Sequence, residues 1–165
     1  MECNIAGAFR QTVVSQGDRI ALVALEGKQW QQWSFAELGT GSDGFAAALA
    51  EQGVRQGDRV MLMVRPSMAF FCLTFALFQL GAVVILIDPG MGYKNLLRCI
   101  GSVRPDILVG IPQAIAFSRI FRRPFSTVRK RLCVGRSLLG IGTPQLQPVQ
   151  GDVPPPSFHA KTVDL

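Results

Sequence analysis

The spacing of apolar and polar positions divides the chain into short elements. Residues 20–25, IALVAL, form an apolar run. Glu26-Gly27-Lys28 reads as a turn and Gln29–Phe35 as a return strand, which predicts a β-hairpin. Ser34-Phe35-Ala36-Glu37 then has the form of a capping box: the serine hydroxyl accepts from an orphan amide at a helix start, and the glutamate reaches back. The spacing predicts a helix from there to about Gln52 that buries Leu38, Phe45, Ala48 and Leu49, with Gly53 as its stop. Gly39, Gly41 and Gly44 weaken that helix, each by roughly 1 kcal/mol relative to alanine if exposed. It must therefore be held by packing rather than by propensity.

After Gly57-Asp58, RVMLMV at 59–64 reads as a buried strand. The next stretch, MAFFCLTFALFQLGAVVILI at 68–87, has no charge and is long enough to cross a bilayer as a helix. Residue types argue against a span. Before Gly81 stand Met, Ala, Phe, Leu and Cys, which suit a helix; after it comes the β-branched run VVILI, closed by Asp88-Pro89-Gly90. The expectation is a buried helix (67–80) followed by a buried strand (83–87), each too short to span alone. The alternation continues. Gly92–Gly101 sets Leu96, Leu97 and Ile100 on one face and Lys94, Asn95 and Arg98 away from it, and Pro105 ends the unit. Asp106–Gly110 is a short strand, Pro112 opens a helix to about Phe121, and Arg131–Gly135 is a final strand. Strands alternating with helices predict an α/β fold: three layers, α/β/α, with a mostly parallel sheet, right-handed crossovers and an N-terminal β-hairpin. Helices on both faces account for strands apolar on both sides. Residues 1–139 form the α/β subdomain. Residues 140–165 read as a linker or disordered tail, because 140–158 hold five prolines and three glycines with little periodicity.

Composition sharpens this picture in a few places. Of 165 residues, 48% are hydrophobic and 17% charged, which excludes disorder of the whole chain. The net charge of +6 permits an anionic partner without establishing one. Much of the excess lies in one segment that has no acidic residue: Arg119, Arg122, Arg123, Arg129, Lys130, Arg131 and Arg136. Nucleic acid or anionic lipid could meet such a segment. A solvated surface, or a contact to another part of the same protein, is the plainer reading, and few aromatics interleave for base stacking. No nucleic-acid partner is expected. Cysteines at 3, 72, 99 and 133 have no CxxC spacing and the one histidine is His159, so no zinc site is expected. Cys72 and Cys99 read as buried reduced thiols, in keeping with a reducing compartment. The start, MECNIAGAF, lacks the basic and long apolar regions of a signal peptide.

Candidate chemistry is sparse. Neither GxxxxGK[ST] nor GxGxxG occurs. Gly39–Gly44 is glycine-rich but falls inside the capped helix. Asp88-Pro89-Gly90 sits at the carboxyl end of a predicted parallel strand, where open α/β sheets place ligands; a tight strand-to-helix turn is the structural alternative. Trp30 and Trp33 read as packing residues. No Ser/His/acid set can be assembled, and His159 in the proline-rich tail is poorly placed for a base.

The stretch WSFAELGTGSDGFAAALAEQGVRQGDRVMLMVRPSMAFFCLTFALFQLGAVVILIDPG resembles the N-terminal part of the adenylate-forming superfamily, the AMP-binding acyl-CoA synthetases and ligases, over about residues 20–110. MVRPS, FALFQLGAV, IDPGMGYKNLLRCI and VGIPQA are most similar to its olefin β-lactone synthetase branch, with long-chain fatty acyl-CoA synthetases as the near alternative. The resemblance implies a cytoplasmic, ATP- and Mg-dependent enzyme that activates a carboxylate as an acyl-adenylate. In the β-lactone branch the substrate is a long-chain β-hydroxy acid, closed to a β-lactone with loss of AMP, and the partners are other enzymes of the olefin and lipid pathway. The family's Ser/Thr/Gly-rich phosphate loop, acidic metal ligand, adenine-stacking aromatic, ribose-binding aspartate and C-terminal lysine match no position here. Thr162-Val163-Asp164-Leu165 resembles the approach to the strand before that loop. No catalytic, cofactor-binding or metal residue is therefore assigned. The expectation is a truncated N-terminal fragment, inactive without the missing remainder of the enzyme. The alternatives are a non-enzymatic interaction module or scaffold and, third, a single-span membrane protein anchored by 68–87.

Overall fold

The computed structural model describes residues 4–26, 28–135 and 144–148. They fall into two compact units: residues up to 55 with 66–81, and residues 56–65 with 82–147.

The first unit holds three helices and a hairpin. Helix α1 (Ile5–Gln16) was not expected from the sequence. Asn4 caps it, its Oδ1 accepting from the Ala6 amide at 3.0 Å, yet only Ala6 and Phe9 of the helix are buried. That is too thin an apolar stripe to read from spacing. Strands β1 (Ile20–Glu26) and β2 (Gln29–Ser34) pair antiparallel as expected, with Leu25 opposite Trp30; Gly27 of the turn lies outside the described residues. Trp30 corrects the reading of the tryptophans as packing residues. It is 71% exposed and its register partner Leu25 56% exposed, so the pair lies on an open face of the ribbon, while Trp33 is half-buried.

Helix α2 (Phe35–Glu51) starts at the complete capping box. The Ser34 amide donates to Glu37 Oε2 at 2.8 Å, and the Glu37 amide donates to Ser34 Oγ at 3.2 Å. Leu38, Phe45, Ala48 and Leu49 are all buried. Gly53 leaves the helix at φ 79°, a backbone region that suits glycine. Packing does hold this helix. An added Cβ at Gly39 would stand 2.9 Å from Val13 Cγ1 of α1, and one at Gly41 would stand 2.6 Å from the Cys72 sulfur. The glycines that weaken α2 locally thus admit its neighbours. Helix α3 (Met68–Gln79), capped by Ser67, buries Cys72, Leu73, Ala76 and Leu77, and Phe75 stacks on Phe9 of α1 with centroids 3.8 Å apart.

The apolar stretch 68–87 divides as expected. Helix α3 ends at Gln79, Gly81 takes φ 65°, and strand β4 runs Val83–Leu86. Among the described residues no helix is long and apolar enough to cross a membrane.

The second unit is a parallel sheet. Strands β3 (Arg59–Met63), β4, β5 (Ile107–Gly110), β6 (Lys130–Val134) and β7 (Gln145–Leu146) lie in the order β4-β3-β5-β6-β7, every neighbouring pair parallel. β7 falls within the stretch read as a linker or tail; the Cys133 amide donates to the Pro144 carbonyl at 3.0 Å and ties it to β6. The other residues singled out in that stretch, His159 and Thr162–Leu165, lie outside the described residues, as do Cys3 and Arg136. Helices α4 (Tyr93–Val103) and α5 (Pro112–Ile120) cover the face that carries Met61, Ile85, Leu108 and Cys133, with Leu96, Ile100, Ile115, Phe125 and Val128 completing the core. Each fully buried Leu or Ile contributes about 1.5–3 kcal/mol, so Leu96 and Ile100 seat α4. Val60, Leu62, Ile107, Val109 and Leu132, on the other face, are also buried. The chain is thus an α/β fold: a parallel sheet flanked by helices, with an antiparallel hairpin.

Candidate functional site

Parallel strands put all their carboxyl ends on one edge, so the two edges of this sheet can be compared. The amino edge is clamped. Asp106 Oδ2 accepts from the Arg59 amide at 2.9 Å, and Arg129 Nη2 meets Asp58 Oδ2 at 2.7 Å. Thr127 Oγ1 donates to the Pro105 carbonyl at 2.7 Å, and the Val83 amide donates to the Asp58 carbonyl at 2.9 Å. The polar side chains there are spent on aligning β3, β4, β5 and β6.

The carboxyl edge, where ligands of open α/β sheets sit, is formed by Met63, Leu86, Gly110 and Val134 and the loops after them. Past β4, the Gly90 amide donates to Asp88 Oδ1 at 2.8 Å, which winds Pro89–Met91 into a single 3-10 turn. Gly92 at φ 82° then starts α4. Asp88-Pro89-Gly90 is therefore a strand-to-helix turn whose carboxylate serves its own backbone. At the end of β5 an added Cβ on Gly110 would meet Ala114 Cβ at 3.0 Å and the Met63 carbonyl oxygen at 3.3 Å. That glycine gives α5 room to begin at Pro112 hard against the sheet. Gly39–Gly44 lies within α2, as its capped pattern required.

Aromatic rings run from the exposed start of α4 across the end of α5 into the core, a feature that reading the chain element by element missed. Tyr93 lies 6.1 Å from Phe117 between centroids, Phe117 lies 4.6 Å from Phe121, and Phe125 meets Phe117 edge-on at 6.1 Å. The i, i+4 spacing of Phe117 and Phe121 at the end of α5 was its one sequence signal. The basic segment does not act as one patch. Arg129 is paired with Asp58. Arg131 Nε donates to Ser118 Oγ at 3.0 Å and its Nη1 to the Val128 carbonyl at 3.4 Å. Burial, and next the neighbouring Arg119, hold the Arg131 guanidinium below its ordinary range. Arg122 and Arg123 are exposed, as is Arg129.

The thiols are enclosed rather than poised. Cys72 and Cys133 are buried and free; Cys99, expected buried, is half-buried. Burial pushes the Cys72 thiol up to about 11, against a smaller pull from the Ser42 hydroxyl, and burial raises that of Cys133 too. A raised thiol is a poor nucleophile. Among the described residues no group of three or more His, Cys, Asp or Glu could hold a metal ion. ATP with Mg needs amide donors aimed at phosphates and free carboxylates for the cation. Of the acidic residues at the ends of the sheet, Asp88 and Asp106 accept from backbone amides and Asp58 pairs with Arg129, so each is already engaged within the fold.

The model for the family described as "AMP-binding enzyme" matches residues 9–139. The chain is 38% identical over 145 residues to an olefin beta-lactone synthetase of Xanthomonas campestris pv. campestris, covering 81% of this chain and 26% of that protein. It is 35% identical over 150 residues to an olefin beta-lactone synthetase of Stenotrophomonas maltophilia, covering 86% and 27%. A mutant form of coronafacic acid ligase from Pectobacterium brasiliense shares the fold, with a TM-score of 0.72 at 14% identity over 86% of this chain and 27% of that one. The chain thus spans about a quarter of the length of the relatives it matches.

Proposed function

Because this chain belongs to the AMP-binding enzyme family, we propose that it serves as the N-terminal scaffold of an ATP-dependent ligase that activates a long-chain β-hydroxy fatty acid as an acyl-adenylate. The observation that carries this reading is the 35–38% identity to olefin beta-lactone synthetases over most of the chain. In this reading ATP and Mg belong to the complete enzyme, and the other enzymes of the olefin and lipid pathway are its partners. The free, buried Cys72 and Cys133 support a cytoplasmic setting. The chain alone carries out no adenylation. Its part is mechanical: to hold the sheet in register and to present its carboxyl edge.

ATP–pyrophosphate exchange tests both halves of the proposal. The isolated chain should show no exchange with fatty or β-hydroxy fatty acids. A chimera in which it replaces the matching segment of the Xanthomonas synthetase should exchange with long-chain β-hydroxy acids. Turnover by the isolated chain would sink the first half. A folded chimera that accepts other carboxylic acids and refuses long-chain β-hydroxy acids would sink the second.

A further inference from the structure

Exposed apolar and basic side chains gather at the end of α5. Ile120 is 73% exposed, Tyr93 is 74% exposed, and Phe121 is also exposed. Tyr93, Phe117 and Phe121 form a continuous row of rings. Directly after Phe121 come the exposed Arg122 and Arg123, and Lys94 and Arg98 stand exposed on α4. The acidic residues of this unit are Asp58, Asp88 and Asp106, and each is engaged within the fold, by Arg129, the Gly90 amide and the Arg59 amide respectively. These three acids are outnumbered by the lysines and arginines of the unit, which therefore carries a net positive charge.

An exposed aliphatic side chain, aromatics with a phenol at the margin and bracketing arginines together fit a boundary between water and hydrocarbon. Apolar groups enter the acyl edge, tyrosine rings sit at headgroup level, and cations meet lipid phosphates. We propose that this face docks the protein peripherally on an anionic phospholipid bilayer. Nothing in the proposal needs a spanning helix, and it stands on these residues whether or not the substrate is a long-chain acid. Nucleic acid is the weaker match, since Ile120 and Phe121 would stay in water at a phosphate backbone.

Co-sedimentation of the purified chain with phosphatidylcholine vesicles, with and without phosphatidylglycerol, tests the proposal. Binding should require phosphatidylglycerol and fall as salt rises. Each cation near such a surface is worth about fivefold in affinity, so Arg122→Gln with Arg123→Gln should weaken binding at least about tenfold. Ile120→Ser should weaken it as well, and Val14→Ser, an exposed site on α1, should leave it unchanged. All these side chains are exposed, so circular dichroism should show folded variants. Failure to sediment, equal sedimentation with neutral vesicles, or binding indifferent to both the arginine and Ile120 variants would overturn the proposal. So would self-association that is lost in Ile120→Ser without any vesicle binding, because the face would then be a protein contact.

Discussion

Gly41 offers the sharpest test of how the first unit is held. Helix propensity alone favours alanine over glycine by about 1 kcal/mol inside a helix. At this position the new Cβ would lie 2.6 Å from the Cys72 sulfur. The sulfur has little room to swing away, since Cys72 is 2% exposed and its thiol donates to the Leu38 carbonyl at 3.8 Å. Overpacking of this kind costs about 1–3 kcal/mol. The two effects leave Gly41→Ala destabilised by about 1 kcal/mol, or about 2–4 °C in Tm for a chain of this size. Removing the sulfur should reverse the sign. In a Cys72→Ala background the alanine at 41 meets the Cβ of residue 72 at 3.7 Å and Met68 Cε at 4.0 Å, both ordinary contacts. Gly41→Ala should then stabilise by about 1 kcal/mol, a coupling of about 2 kcal/mol between the sites. Urea unfolding of the wild type, the two single variants and the double variant measures it. Equal stabilisation by Gly41→Ala in both backgrounds would refute the reasoning, because it would mean that α2 and α3 do not approach closely at that glycine.

Two further outcomes are expected. Ser34→Ala removes one half of the reciprocal cap on α2 and should cost about 1 kcal/mol in the same urea assay, with the loss absent if the helix frays there in solution. Raising the pH should destabilise the fold through Cys72. Both states keep the proton below the ordinary thiol value of 9.0; above it the unfolded chain ionises first, while the folded thiol holds its proton up to about 11. Stability should therefore fall as pH rises from near 9 through 11, and fall less in Cys72→Ala; an equal decline in both proteins would contradict this.

Much of the fold was legible in the chain because its boundaries are chemical. Gly81 separates helix-forming from β-branched residues, Ser34 and Glu37 occupy cap positions, and Pro112 sits in the first turn of α5. What stayed hidden depends on what lies across from a residue. α1 shows Ile5 and Val14 to solvent and buries only Ala6 and Phe9, so its spacing carries little signal. Trp30 reads as a packing residue until the hairpin face it lies on proves open. Gly39 and Gly41 read as weak points because a one-dimensional pattern cannot show Val13 or Cys72 pressed against them. The same blindness merged the basic segment, since Arg129 pairs with Asp58 and Arg131 bonds to the buried Ser118, while Arg122 and Arg123 lie exposed. At the carboxyl edge of the sheet, Asp88-Pro89-Gly90 was readable as either a ligand loop or a turn, and only the bond from the Gly90 amide decides it.

Membership in the adenylate-forming fold requires that the uncharged stretch 68–87 be two elements joined at Gly81. Backbone carbon chemical shifts across that stretch test this most directly. They should report helix from Met68 to Gln79, a positive φ at Gly81 and extended backbone from Val83 to Leu86. Helical shifts running unbroken from Met68 through Ile87 would contradict the account.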